Sequence, residues 1–247
     1  MLLEYNLKSA EIFVITHKPC KLIPKDNIYK MIQAGAAGKD HFLPLTDDMF
    51  KDNISNKNAS FCELTAMYHI WKYSNADIKG LCHYRRYFTN HRYLSEALSY
   101  TVKKYPFILK KEQIERILDN YDLIVGEHIH KGCSGYDYYA SQHILSDLMC
   151  TRDVIAEIYP DYLSSFDKCL NSDSFYLANM IYTSKDIFDS YSKWLFDILF
   201  EVEKRVDISN RDNYQKRVFG FLSERLLKVW VDKNNLKPYI GYIIKIL

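Results

Sequence analysis

None of the short motifs that mark the commonest nucleotide and hydrolytic chemistries occurs in this chain. There is no Gly-rich phosphate loop, and no Gly-x-Gly-x-x-Gly follows the first strand-like run. His-Glu-x-x-His and Gly-x-Ser-x-Gly are missing too. P-loop kinases, NAD enzymes and serine hydrolases are therefore poorly supported. No two of the 6 Cys stand in Cys-x-x-Cys spacing, which removes the usual zinc and redox motifs. Several lie in apolar runs, as buried thiols do, and point to a reducing cytoplasm. Met1 to Ala10 lacks a basic segment followed by an apolar run, and no stretch approaches ~18 apolar residues. Neither a signal peptide nor a spanning helix is expected. The formal net charge is only +2, far from the strongly basic balance of a nucleic-acid binder.

What is present is a large apolar and aromatic content. Hydrophobic residues make up 48% of 247, enough for a substantial core, and aromatics 15%, with 21 Tyr. Glu11 to Thr16 is a β-branched run ended by His17-Lys18-Pro19, and reads as a buried strand. Gly35 and Gly38 punctuate a loop, and 47–58 is polar. Ser60-Phe61-Cys62-Glu63 reads as a capping box opening a helix to about Lys72. Further strands are expected at 77–82, 121–125 and 175–182. Helices are expected within 93–119 and over 136–159, 185–206 and 213–232. The apolar tail 239–247 reads as a last strand, with partner or membrane-surface contact as the alternative. Strands alternating with helices predict an α/β domain over the whole chain, with 1–10 and 233–247 peripheral.

Five groups of residues carry possible chemistry. His83-Tyr84-Arg85-Arg86-Tyr87-Phe88 packs cations and rings at a strand end, where α/β sheets bind ligands. An Arg fork suits a phosphate, although an Arg held in an ion pair would explain it as well. No Lys/Arg run flanks it, so no nucleic-acid partner is expected. His17 and Lys18 end the first strand and either touch a nucleotide or lie in a solvated loop. Asn53, Ser55 and Asn58 precede a helix and either bind a ligand or serve as ordinary loop residues. Asn179, in an apolar strand pattern, must be bonded, either to backbone or to a substrate hydroxyl. In Gly220 to Leu227, helical spacing sets Glu224 roughly opposite the stripe of Val218, Phe221, Leu222, Leu226 and Val229. Gly220, one turn earlier, suggests a close approach. Glu224 is then a candidate general base, or one half of an exposed pair with Lys228. Arg225 falls near the stripe and needs a buried partner.

Taken in order, these motifs resemble a bacterial surface-polysaccharide glycosyltransferase family, long catalogued only as a domain of unknown function. The resemblance rests on Thr16-His17-Lys18, Asp52 to Asn58, Cys62-Glu63-Leu64-Thr65-Ala66-Met67-Tyr68 with Trp71-Lys72, and His83 to Phe88. It continues through Asn179-Met180, Trp194 to Phe200 and Arg217 to Leu227, and covers about residues 11 to 230. It implies a GT-A-like domain with a central mixed, mostly parallel sheet flanked by helices and a helix-rich C-terminal half. It implies inverting transfer of galactofuranose from UDP-galactofuranose to a glycan hydroxyl, with a β-1,3 linkage expected. Catalytic roles then fall to Glu224, His83 and Arg85. Donor contacts fall to Thr16, His17, Lys18, Asn53, Ser55, Asn58, Tyr84, Arg86, Asn179 and Arg225. No Asp-x-Asp follows the strand before His83, so Arg and His are expected to replace the divalent metal of typical GT-A enzymes, with no cofactor. The implied acceptor is lipid-linked, at the cytoplasmic membrane face, with possible peripheral membrane contact. A pyranosyl transferase using UDP-galactose or UDP-glucose, and a non-catalytic glycan- or nucleotide-binding module, are the alternatives.

Overall fold

A computed structural model of the chain describes residues 8–20, 24–91, 107–176 and 178–246. The elements in chain order are β1 (Ala10–Thr16), β2 (Tyr29–Gln33), α1 (Asn58–Phe61), α2 (Leu64–Tyr73), β3 (Ile78–His83), β4 (Arg86–Thr89), α3 (Lys111–Leu118), β5 (Leu123–Gly126) and β6 (His128–His130). Then follow α4 (Gly135–Ala140), α5 (Leu145–Ile158), α6 (Leu163–Leu170), β7 (Ser174–Tyr176), β8 (Ile181–Ser184), α7 (Lys185–Glu203), α8 (Val218–Lys233) and β9 (Pro238–Lys245). Of the helices expected within 93–119, the part before residue 107 lies outside the described residues.

The main sheet runs β2-β1-β3-β4-β9-β5-β8, and β8 returns to pair with β3. Strand β3 therefore meets β8 along Ile78–Leu81 and β4 at His83. The sheet is mixed, and the expectation of a mostly parallel one is corrected. Among the described residues β1–β2, β1–β3 and β5–β9 are parallel, while β3–β4, β3–β8, β4–β9 and β5–β8 are antiparallel. A two-residue turn, Tyr84–Arg85, reverses the chain between β3 and β4, whereas a parallel neighbour needs a long crossover. The tail, expected to be peripheral, is β9, an inner strand between β4 and β5.

Both faces of the sheet are covered. Alternation along β1 sends Phe13 and Ile15 to one face and Ile12 and Val14 to the other. The first face packs on α2, α5, α6, α7 and α8 in the larger core, and the second on α3 in a smaller one. Helix α7 buries Phe188, Tyr191, Leu195, Ile198, Leu199 and Val202 at helical spacing against that larger core. One cation is carried inside: Lys79 of β3 is fully buried, and its ammonium reaches Asp189 of α7 at 2.7 Å.

The run 175–182 does not form one strand. It divides into β7 and β8, with Ala178 between them in the left-handed region (φ 64°). Among the described residues strand β7 pairs only with β6, in a separate two-stranded sheet. The split leaves Asn179 facing α8 instead of lying in a ladder.

Candidate active site

A cleft of about 640 Å³ opens at the carboxyl ends of the parallel strands β1, β2 and β3. Thr16 and His17 close β1, Ala34 follows β2 and His83 ends β3. Arg85 and Arg86 enter from the β3–β4 turn, Asn58, Cys62 and Glu63 from the α1–α2 junction, and Lys216 and Arg217 from the turn before α8. His83 and Arg86 are opposite one another across the β3–β4 pair, so their side chains share a face. Which of the two adjacent arginines faces the cleft has a simple answer: both line it.

Tyr84 does not line the cleft but supports it from beneath. It is buried, and its ring lies 5.0 Å from the Arg85 guanidinium and 4.6 Å from the His83 ring. Lys18 is exposed and reaches the same ring at 5.8 Å, outside the cleft lining. Thr16 turns its hydroxyl to the Lys18 carbonyl at 2.5 Å and so shapes the end of β1.

The cleft is cationic. Among the described residues that line it, Arg85, Arg86, Lys216 and Arg217 stand against a single carboxylate, Glu63. Among the described residues no acidic side chain pairs with either Arg85 or Arg86, which argues against a structural ion pair as the reason for them. The histidines do not add charge. Burial, then Arg86 and Arg85, push the His83 pKa down to about 4, and burial followed by Lys18 and Arg85 lowers that of His17. Both rings are shifted away from the protonated form near pH 7, so the positive charge lining the cleft comes from Arg and Lys.

Glu63 owes its position to a break in the backbone. Cys62 adopts φ 53° and ψ −129°, a conformation that costs a non-glycine residue of order 1–3 kcal/mol. This ends α1, starts α2 and turns Glu63 toward the cleft. Ser60 is inside α1 and donates to the Lys57 carbonyl, so the expected capping box does not exist. Glu63 instead accepts a hydrogen bond from Asn179 Nδ2 at 2.8 Å. Asn179 Nδ2 also reaches Ser223 Oγ at 2.7 Å, which ties the strand break to α8 and to Glu63. Gly220 permits this approach, because a Cβ there would lie 3.1 Å from Cys62 Sγ. Arg217 Nε donates to the same sulfur at 3.3 Å.

Glu224 does not border the large cleft. It lies in an adjoining cavity of about 190 Å³, and Arg86 lines both spaces. Glu224 makes no pair with Lys228, which bonds Asp232 at 2.6 Å. It accepts from Arg225 Nη1 at 2.9 Å. Arg225 is itself buried, with Nη1 also donating to the Phe221 carbonyl and its guanidinium 5.4 Å from the Tyr139 ring. These are the buried partners its place on α8 required. Burial raises the pKa of Glu224. Arg225 opposes the rise most, Glu63 adds to it, and Arg86 and Arg217 oppose it. A carboxylate with a raised pKa beside an open cavity has the character of a general base.

Asn53 and Ser55, expected at the donor, lie outside both cavities and brace a loop. Fully buried Asp47 accepts from the Gly35 and Ala36 amides at 2.7 and 3.0 Å and from the Ser55 hydroxyl. Asn53 Oδ1 accepts from the Ser55 amide at 3.1 Å. Asn58 does reach the cleft. It packs on Gly35, whose φ of +65° and lack of a side chain leave room for it. Sequence reasoning gave Glu63 a capping role instead of a place in the site, and gave Lys216 and Arg217 none. The Ser60–Glu63 spacing concealed the first, whereas Lys216-Arg217 just before α8 was a readable basic signal.

Fold and cleft together define an α/β domain with a cationic cleft at the ends of its parallel strands. The chain belongs to the family described as a domain of unknown function, DUF4422, whose model matches residues 11–235. No curated protein matches it. Among solved structures it is similar to the bifunctional glycosyltransferase WbbM in its apo form, with 27% sequence identity and a TM-score of 0.84. The likeness covers 96% of this chain and 45% of WbbM, so the chain spans less than half of that protein.

Proposed function

We propose that the protein is an inverting glycosyltransferase that takes its sugar from a UDP-sugar. The observation that carries this is the cleft at the ends of β1, β2 and β3, where, among the described residues, four cationic side chains stand against one carboxylate. Such a cleft suits a nucleoside diphosphate, whose charge grows as it leaves. The likeness to WbbM supports the same reading. Galactofuranose as the sugar and a β-1,3 linkage come from the sequence resemblance. So does a lipid-carried glycan as the acceptor, met at the inner membrane face. Peripheral contact with that face is part of the same proposal; among the described residues no helix is long and apolar enough to cross a membrane.

The step is a displacement at the anomeric carbon. An acceptor hydroxyl oxygen forms the new bond to that carbon while the bond to the UDP oxygen breaks. The proton of the hydroxyl passes to Glu224, and the electron pair of the broken bond leaves with UDP. Arg85, Arg86 and Arg217 stabilise the diphosphate as its charge develops, and neutral His83 and His17 hydrogen-bond within the same cleft. Glu63, held by Asn179, faces the donor and is suited to accept from a sugar hydroxyl. Among the described residues no three His, Cys, Asp or Glu side chains converge on one point, and the cleft lining offers one carboxylate, Glu63, against four cationic side chains. Leaving-group stabilisation is assigned to the guanidinium groups on that balance of charge.

The test is a product assay with UDP-galactofuranose and UDP-galactose side by side, followed by NMR of the product. A β-galactofuranosyl product formed in EDTA is expected. Retained configuration, or activity lost in EDTA and restored by manganese, would overturn the mechanism.

A further inference from the structure

The smaller cavity has its own walls, distinct from those of the cationic cleft. One side is the β6–β7 sheet and α4, where Tyr138 and Phe175 lie nearly parallel, their ring centres 5.9 Å apart and their planes at 12°. The other is a stack of His143 on Phe221, with centroids 4.0 Å apart, capped by Tyr214. Tyr214 is 49% exposed and forms the outer rim. The floor is polar. It holds Glu224 and Arg225, with Arg86 at the passage to the larger cleft. His143 is buried, and its Nδ1 has no hydrogen-bond partner among the described residues. Ala178, held at φ 64°, also borders this space, and a strained residue beside a cavity is a common mark of a binding site.

This combination has one natural ligand class. Flat aromatic walls offer apolar surface to a ring, while a carboxylate and a guanidinium offer partners to hydroxyls. The volume, about 190 Å³, is under a third of the 640 Å³ beside it and leaves room for a single sugar unit. A nucleotide would not fit, and an anion would meet Glu224. We propose that this cavity is the acceptor subsite and binds the terminal sugar of the glycan between Tyr138 and Tyr214. Its reacting hydroxyl then lies against Glu224, with Arg86 separating it from the donor diphosphate. The inference rests on the glycosyltransferase reading and adds the place and the unit of acceptor recognition. It also accounts for Glu224 standing outside the large cleft: the base belongs with the group it deprotonates.

Binding is measured by saturation-transfer NMR on the UDP-loaded protein. The probes are the methyl glycosides of galactose, glucose, mannose, rhamnose and N-acetylglucosamine. At least one glycoside is expected to bind the wild type, and Tyr138→Ala and Tyr214→Ala are each expected to weaken it fivefold or more. The affinity for UDP, measured by calorimetry, should stay within twofold in both variants, which also establishes that they fold. Because Tyr214 is on the rim, its loss tests the subsite even if Tyr138→Ala fails to fold. If no glycoside binds, or if binding ignores both substitutions while UDP binds normally, the subsite assignment is overturned and the donor reading survives. If UDP itself fails to bind the wild type, the broader glycosyltransferase reading fails.

Discussion

Glu224 sits in opposing electric fields, and the two strongest tests of its role pull in opposite directions. As a base it must be ionised, so activity falls on the acid side as pH drops below its pKa. Burial raises that pKa; the Glu63 carboxylate raises it further, and the Arg86 guanidinium lowers it. In Glu63→Gln the Asn179 hydrogen bond can persist, because the amide oxygen still accepts, but the neighbouring charge is gone. The pKa of Glu224 then falls, and the acid limb of the kcat/KM profile moves to lower pH. In Arg86→Gln the nearby cation is gone, the pKa rises, and the limb moves to higher pH. The two limbs therefore separate, one on either side of the wild-type profile. Arg86→Gln also removes charge-assisted contacts to the diphosphate, worth about 1.5–3 kcal/mol. That loss corresponds to a fall of about 10- to 150-fold in kcat/KM on the alkaline plateau. The assay is UDP release over a series of buffers of constant ionic strength. Limbs that move in the same direction, or do not move, would refute the assignment of Glu224 as the titrating base.

Three other substitutions test the scaffold. Asn179→Ala removes the donor that Glu63 and Ser223 share, and is expected to cost about 2 kcal/mol, a fall of about 4–8 °C in Tm by calorimetry. Asp189→Asn leaves the buried Lys79 ammonium without its counter-charge. A loss of about 3–5 kcal/mol is expected in urea unfolding, and a loss below 1 kcal/mol would show that Lys79 is neutral or otherwise satisfied. Gly220→Ala places a methyl group 3.1 Å from Cys62 Sγ. It is expected to lower kcat more than it lowers Tm, because the neighbour it displaces carries Glu63 into the cleft.

The legible parts of the fold were those with a clean period. Strands β1 and β3 and helices α7 and α8 follow from runs of apolar residues bounded by polar ones. The division of 175–182 did not follow, because Phe175, Tyr176, Met180, Ile181 and Tyr182 are apolar on both sides of the break, and the kink at Ala178 leaves no mark in composition. Sheet direction was illegible for a related reason. The Tyr84–Arg85 turn has neither Gly nor Pro, so nothing local announced that β3 turns directly back as β4.

At the site, cationic character was readable from His83-Tyr84-Arg85-Arg86, and a carboxylate on one side of α8 was readable from helical spacing. The burial that neutralises His83 was not, since it depends on groups brought in from β1, β4 and the turn before α8. Glu63 was missed because Ser60 and Glu63 stand at capping-box spacing. The backbone turn at Cys62 overrides that local preference, and its cost is borne by the contacts of Asn179 and Gly220 with the same junction. Asn53 and Ser55 show the reverse case. Their residue types suit a ligand, but a buried Asp47 needs donors, and the folded chain uses Ser55 for that.

Donor binding and chemistry separate most cleanly in Glu224→Gln. The measurement is a single-turnover quench with UDP-galactofuranose and a glycan acceptor, alongside calorimetric binding of UDP. The wild type should release one UDP for each sugar transferred. The variant should bind UDP with unchanged affinity and transfer about 10²- to 10⁴-fold more slowly, the share usually contributed by a general base. Transfer at the wild-type rate by Glu224→Gln, with UDP binding intact, would contradict the account.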